Sequence, residues 1–254
     1  MNIRRFLVAS TTACVLAITC NTTIATAASF TPEQQTQIEK IVHDYLLKKP
    51  ELLVEVSVEL QKKQQAEETN KARSAIVKNA GSLLNSPNSP AFGSNKPTAV
   101  IVEFLDYQCG HCKSMSPILG ALVKKDDKLR VVIKGLPIFG DTSKLATQAV
   151  IAAAAQNIDK FVKFHEALLN TKEPLNEKNI MNLAKAAGLN VDKLKKDMAG
   201  KIVNDQIAEN FTLARELGLR GTPVFIISNS DASKTDFIPG GTTAEDLSKS
   251  IAKV

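Results

Sequence analysis

The sequence predicts an α/β fold that carries an inserted helical block and is preceded by a helical arm. Three observations lead there. Thr98 to Leu105 is an unbroken apolar, β-rich run of the kind found in a buried central strand. An amphipathic helix and a second apolar strand, Leu129 to Ile133, follow it and complete a parallel βαβ unit. From about residue 141 to 218 the periodicity is helical, and β character returns only at Val224.

The chain begins with a basic stretch, Met1 to Arg5, then an apolar run from Phe6 to about Cys20, then Ala25-Thr26-Ala27. That order is the order of a secretory signal cut after Ala27, which makes 1–27 a signal peptide. The apolar run falls short of the roughly 20 residues a membrane helix needs. Acylation at Cys20 is disfavoured because Thr19 is large for the position before it. The expectation is an exported periplasmic protein, with outer-membrane or surface association as the second placement. Cleavage removes Cys14 and Cys20 and leaves only Cys109 and Cys112. It also takes two of the 32 basic residues and none of the 26 acidic ones. The remainder is mildly basic with dispersed charge, and no dense Lys/Arg block speaks for nucleic acid as a partner.

Residues 28–84 read as helical throughout. Thr31-Pro32-Glu33-Gln34 has the form of a capping box with proline in the first turn. Ile38, Ile41, Val42, Tyr45 and Leu46 then share one face, Pro50 interrupts, and Leu52, Leu53, Val56 and Leu60 resume the stripe. Gln61 to Arg73 is nearly all polar, and a last stripe runs from Ile76 to Leu84. There are too few large apolar residues here for an independent core. The stripes either pack back on the main domain or meet a second copy, and the intervening segment favours the second. That segment, 85–97, is rich in Ser, Asn, Pro and Gly and reads as a linker. The catalytic candidate is therefore 98–254.

Within it, Cys109-Gly110-His111-Cys112 lies where the first strand passes into a helix. At a helix start the unpaired amides and the dipole favour a thiolate on the first sulfur. A thiolate is both the nucleophile and the good leaving group of disulfide exchange. A structural disulfide across two residues would close too small a loop to stabilise much, so in an oxidising compartment the pair reads as redox chemistry. Position assigns Cys109 as the attacking sulfur and Cys112 as the resolving one, with His111 tuning them. Zinc lacks further ligands, because His43 and His165 are distant in sequence. Haem attachment fails because position 113 is lysine. Capture of Cu(I) by the dithiol remains a reading from a different class. Glu103, an acid in an apolar strand, either shuttles a proton or reaches solvent at a strand edge. Lys134 reads as a surface charge, and Thr222-Pro223 as a loop step before a strand.

Val102-Glu103-Phe104 leading into CGHC, with Gly221-Thr222-Pro223-Val224-Phe225 later, resembles the thioredoxin superfamily. The separation of 114 from Cys109 to Pro223, filled by helices, resembles the DsbA family of exported thiol–disulfide oxidoreductases. Asp44-Tyr45-Leu46-Leu47 and Pro50-Glu51 resemble the N-terminal extension of its Com1 and ScsC-like branch, whose members oligomerise through it. The resemblance implies a thioredoxin fold with an inserted helical domain and an N-terminal helical oligomerisation arm. It implies a cis-proline at Pro223 lying against the motif, a substrate strand pairing beside Thr222, and a buried acid at Glu103. No cofactor is implied beyond a redox-active Cys109–Cys112 disulfide, and no metal. The implied partners are unfolded or misbridged secreted proteins, a membrane redox partner, and a second copy in a homodimer, ahead of a trimer. Gly110-His111 is the dipeptide of protein disulfide isomerase rather than the Pro-His of the best-known strong oxidase. Together with the arm, it tilts the expectation towards an isomerase that also oxidises.

Overall fold

In the computed structural model, which describes residues 30–254, the chain forms two units, one up to Val58 and one from Glu59 to Val254. The expected signal peptide 1–27, with Cys14 and Cys20, lies outside the described residues. No described helix is long and apolar enough to cross a membrane.

The first unit is helical. α1 (Pro32–Lys48) opens on the capping box: Gln34 N donates to Thr31 Oγ1 at 3.3 Å, and Thr31 N donates to Gln34 Oε1 at 2.9 Å. Two of the amides orphaned at a helix start are thereby satisfied. Pro50 separates α1 from α2 (Glu51–Lys78), which continues into the second unit. No residue of α1 is buried, and Ile41, Tyr45 and Leu47 of α1 with Leu53, Val54 and Val56 of α2 are each at least half exposed.

The second unit is built on β2 (Ala99–Leu105), which is buried at every residue. It pairs in parallel with β3 (Leu129–Gly135) and antiparallel with β4 (Val224–Asn229). β5 (Thr235–Pro239) and β1 (Ala91–Gly93) close the sheet in the order β1-β3-β2-β4-β5. The stretch 85–97 is thus more than a linker, because β1 within it pairs with Arg130 to Val132. Three edge residues among Ser, Pro and Asn are too few to show an alternating pattern.

Alternation along β2 turns Ile101, Glu103 and Leu105 to one face of the sheet and Val100, Val102 and Phe104 to the other. The first face is covered by α4 (Gly110–Lys125), by the helical insertion, and by Leu247 of α10 (Ala244–Ile251). The insertion comprises α5 (Asp141–Ala154), α6 (Ile158–Asn170), α7 (Glu177–Ala186), α8 (Val191–Met198) and α9 (Lys201–Glu216). Asn157, Asn176 and Asn190 cap α6, α7 and α8, each side chain accepting from the amide three residues on at 2.9 to 3.0 Å. Gly218, at φ +68°, stops α9 in the left-handed conformation that glycine adopts without strain.

The second face corrects the expected arm boundary at 84. Ile76 of α2 and Leu83 and Leu84 of α3 (Ala80–Leu84) are buried with Val100, Val102, Phe104 and α9 residues Leu213 and Ala214. The last stripe of the helical region therefore packs back on the sheet, while the stripes before residue 59 do not belong to this core. Lys134 is also not a surface charge. Its place in β3 turns it to this second face, fully buried, where Nζ donates to Ser82 O at 2.5 Å and to Ser89 Oγ at 2.7 Å. Burial lowers its pKa to about 8, against a smaller opposing effect of Glu209.

Because Ile76 of α2 is buried in this core, Ile76→Ala destabilises the second unit by about 2–5 kcal/mol, the range for truncating a buried aliphatic side chain to alanine. Urea unfolding followed by circular dichroism reads this as a lower midpoint, and an unchanged midpoint would contradict the packing.

Candidate active site

The first turn of α4 is the focus of the site. Cys109 is its N-cap residue, in extended conformation with φ −70° and ψ 120°, and its amide donates to Asp106 O at 3.0 Å. Cys109 and Cys112 are both free thiols; Cys109 retains 5% of its surface and Cys112 none. The Cys109 thiol donates to the carbonyl of Thr222 at 3.3 Å, and the Thr222–Pro223 peptide bond is cis. Residues 113 apart in sequence thus meet at one sulfur. Gly110 and His111 are exposed, and a side chain at Gly241 would meet the His111 ring and Cβ at 3.9 Å, so the loop entering α10 borders the motif. No atom approaches the space a side chain at Gly110 would fill.

Residues 100–252 match the DSBA-like thioredoxin domain family, more than half of the chain. The chain belongs to that family. Residues 34–67 match a second family, the copper resistance protein ScsC N-terminal domain. Among solved structures, a thioredoxin-like oxidoreductase from Silicibacter pomeroyi is 32% identical with a TM-score of 0.62, covering 68% of this chain and 95% of its own. BcfH of Salmonella enterica Typhimurium is 28% identical with a TM-score of 0.75, covering 87% and 96%. A probable disulfide bond formation protein D from Bacillus anthracis is 23% identical over 174 residues, 64% of this chain and 76% of that protein. The chain also matches two Salinispora Na(+)/H(+) antiporters named NhaA, but spans only 21% of their length. The fold is accordingly the DsbA-type thioredoxin fold, with an N-terminal helical region.

Beneath the DsbA-type motif, Glu103 is 1% exposed, and neither carboxylate oxygen has a hydrogen-bond partner. It sits on the central strand, so the strand-edge reading of this acid does not hold. Burial, with the charge of Cys109 adding, raises its pKa to about 8. At neutral pH it therefore holds a proton. The Cys112 thiol is pushed well up, first by burial and further by Glu103, against a lowering contribution from the Asp106 backbone. The two sulfurs are thus unequal: one lies at the helix start beside an opening, and the other is sealed next to a proton-bearing acid.

Two groups escaped the sequence reading. Asp106, fully buried, accepts from Gln108 N at 2.7 Å and Ser143 Oγ at 2.6 Å through one oxygen, and from Ile138 N at 2.8 Å and Phe139 N at 3.0 Å through the other. It fastens the turn before Cys109 to the loop after β3 and holds Ile138 and Phe139 at the surface, 44% and 56% exposed. An acid just past a strand is the signal that could have found it, since such residues organise turns through backbone amides. Tyr107, also buried, shares a 2.8 Å hydrogen bond with His165 Nδ1 on α6. Burial lowers the His165 pKa to about 4, so the ring stays neutral. Nothing in the spacing of Tyr107 and His165 announces this pair.

Between about pH 4.5 and pH 8 Glu103 is ionised when unfolded and protonated when folded, so folding binds a proton and stability falls as pH rises. Glu103→Gln removes that dependence. The variant gains on the parent protein steadily from pH 5 to pH 8, reaching a few kcal/mol, and then levels off. Parallel urea titrations at pH 5 and pH 9 check this, and an equal difference at both would refute the assignment.

Proposed function

We propose that the protein is an exported, periplasmic thiol–disulfide oxidoreductase that forms and rearranges disulfides in secreted proteins, using Cys109 as nucleophile and Cys112 as resolving thiol. The observation that carries the reading is the Cys109 sulfur, placed at the start of α4 and bonded to the Thr222 carbonyl beside the cis Thr222–Pro223 step. Family membership supports the class of reaction, and the Gly110-His111 dipeptide and the arm support its direction.

In the oxidising direction, a substrate thiolate attacks Cys109 Sγ of the Cys109–Cys112 disulfide. The S–S bond breaks, its electron pair leaves on Cys112, and Glu103 supplies the proton that makes Cys112 a thiol. A second substrate thiolate then attacks the substrate sulfur of the mixed disulfide and expels Cys109. Two substrate thiols are oxidised and the protein pair is reduced, and a membrane redox partner reoxidises it. In the isomerising direction, the reduced pair starts: Cys109 opens a wrong substrate disulfide, the freed substrate thiolate attacks elsewhere, and Cys109 is returned unchanged. The high thiol pKa imposed on Cys112 by burial slows its attack on Cys109 Sγ of the mixed disulfide, which would re-form the Cys109–Cys112 bond and expel the substrate thiolate, and so gives a substrate time to rearrange.

The exposed apolar residues of the first unit support self-association, as a dimer ahead of a trimer, because contiguous apolar surface of this kind marks an interface. Sites facing one another in an oligomer favour isomerisation and hinder a small membrane oxidase.

The match of residues 34–67 to the copper resistance protein ScsC N-terminal domain favours one second reading, in which the dithiol sequesters Cu(I). Among the described residues no three His, Cys, Asp or Glu side chains cluster as a metal site, so Cys109 and Cys112 would have to serve alone or with donors from another molecule.

Two assays separate these readings. The protein reduces insulin in the presence of dithiothreitol and reactivates scrambled ribonuclease, and Cys109→Ser abolishes both. Inactivity in both, alongside stoichiometric Cu(I) binding, would replace the enzyme by the copper carrier. A form starting at Glu59 runs as a monomer by light scattering, reduces insulin at the parental rate, and loses most ribonuclease reactivation. An unchanged mass would reject the arm as the oligomerisation element.

A further inference from the structure

A cavity of about 640 Å³ opens beside the Thr222–Pro223 step. One wall is α2, through Gln65, Glu68 and Lys71; the floor includes Leu219 at the entry to β4 and Phe237 of β5. We propose that this cavity extends the substrate groove and takes the polypeptide segment flanking the reacting cysteine, with α2 as its outer wall. The inference rests on the reading of Cys109 as the attacking thiol, and it adds binding only, with no new redox step.

Continuity is the first argument. The Thr222 carbonyl is 3.3 Å from Cys109 Sγ, and Thr222 and Pro223 themselves line the cavity, so a chain joined to Cys109 through sulfur stands at its mouth. The second is the rim. The amides of Arg220, Gly221 and Thr222 donate to no partner among the described residues. Successive unpaired donors are what an extended peptide pairs with when it adds to a backbone edge. The third is the uneven charge around an apolar floor. Glu68 accepts from Arg220 at 2.6 Å, and Glu216 is engaged by Asn79 at 2.7 Å and by Lys78 at 3.7 Å. Lys71 and Arg215, both exposed at the rim, have no carboxylate partner among the described residues. The favoured occupant is therefore an extended segment with an apolar side chain for Leu219 and Phe237 and an acidic one for Lys71 and Arg215.

The test uses the full chain, reduced, with two disulfide-linked fluorogenic peptide dimers whose cysteines are flanked by Leu-Glu or by Leu-Lys, and glutathione disulfide as a probe too small to reach the cavity. The Leu-Glu peptide shows a KM about five-fold below that of the Leu-Lys peptide, the scale of one partly exposed ion pair. Lys71→Glu abolishes or reverses the preference. Gln65→Trp, which fills the cavity, raises KM for both peptides with kcat retained. Exchange with glutathione disulfide is unchanged in both variants. Peptide KM values within two-fold of the parent in Lys71→Glu and Gln65→Trp would overturn the proposal. Should Gln65→Trp also slow glutathione exchange, it has disturbed the fold, and Lys71→Glu, on an exposed side chain, decides alone. A parent protein inert towards glutathione disulfide would instead sink the oxidoreductase reading, and this inference with it.

Discussion

Burial of β2 on both faces is the constraint on which the rest depends. A strand with no solvent-facing side must cover each face with separate elements, and its alternation then decides what each cover meets. On one face the alternation brings an acid, Glu103, under the helix that carries both cysteines. On the other it presents Val100, Val102 and Phe104, which α9 together with the end of α2 and α3 seals. The unpartnered carboxylate and the root of the N-terminal helices are two results of one pattern seven residues long.

The unequal sulfurs follow from the same geometry. Cys109 caps α4 at the sheet end, and Cys112, one turn on, faces inward. Burial that is unfavourable for an ionised acid keeps the Glu103 carboxyl protonated near neutrality, beside the sulfur that in the proposed cycle gains or loses a proton. Asp106 serves the opposite purpose. Its two oxygens accept from two amides of the β3–α5 loop, the Gln108 amide and the Ser143 hydroxyl, so it fixes the position of the turn before Cys109.

Much of this could be read in the residues. The period change at Thr98, the helix stop at Gly218 and the capping box at Thr31 are local signals, and each corresponds to an element found in the structure. The cysteine pair was legible too, since strand–CxxC–helix is a short pattern, whereas Thr222-Pro223 read by itself only as a loop step and its place against the motif came from the resemblance. What stayed hidden depends on partners far away in the chain. Lys134 looks like any lysine at a strand end until Ser82 and Ser89 fold over it. Tyr107 meets His165 across 58 residues. The strand at 91–93 exists only because β3 offers an open edge to it.

The Tyr107–His165 contact also bears on how the molecule looks to light. The chain has no tryptophan and two tyrosines. Tyr45 stands half exposed in the first unit, whereas Tyr107 is sealed two residues before Cys109 with its hydroxyl engaged. Each unit thus contains one native chromophore in a distinct environment. Ultraviolet emission from the inner one senses the neighbourhood of the sulfur pair, and emission from the outer one senses whatever comes to cover the arm.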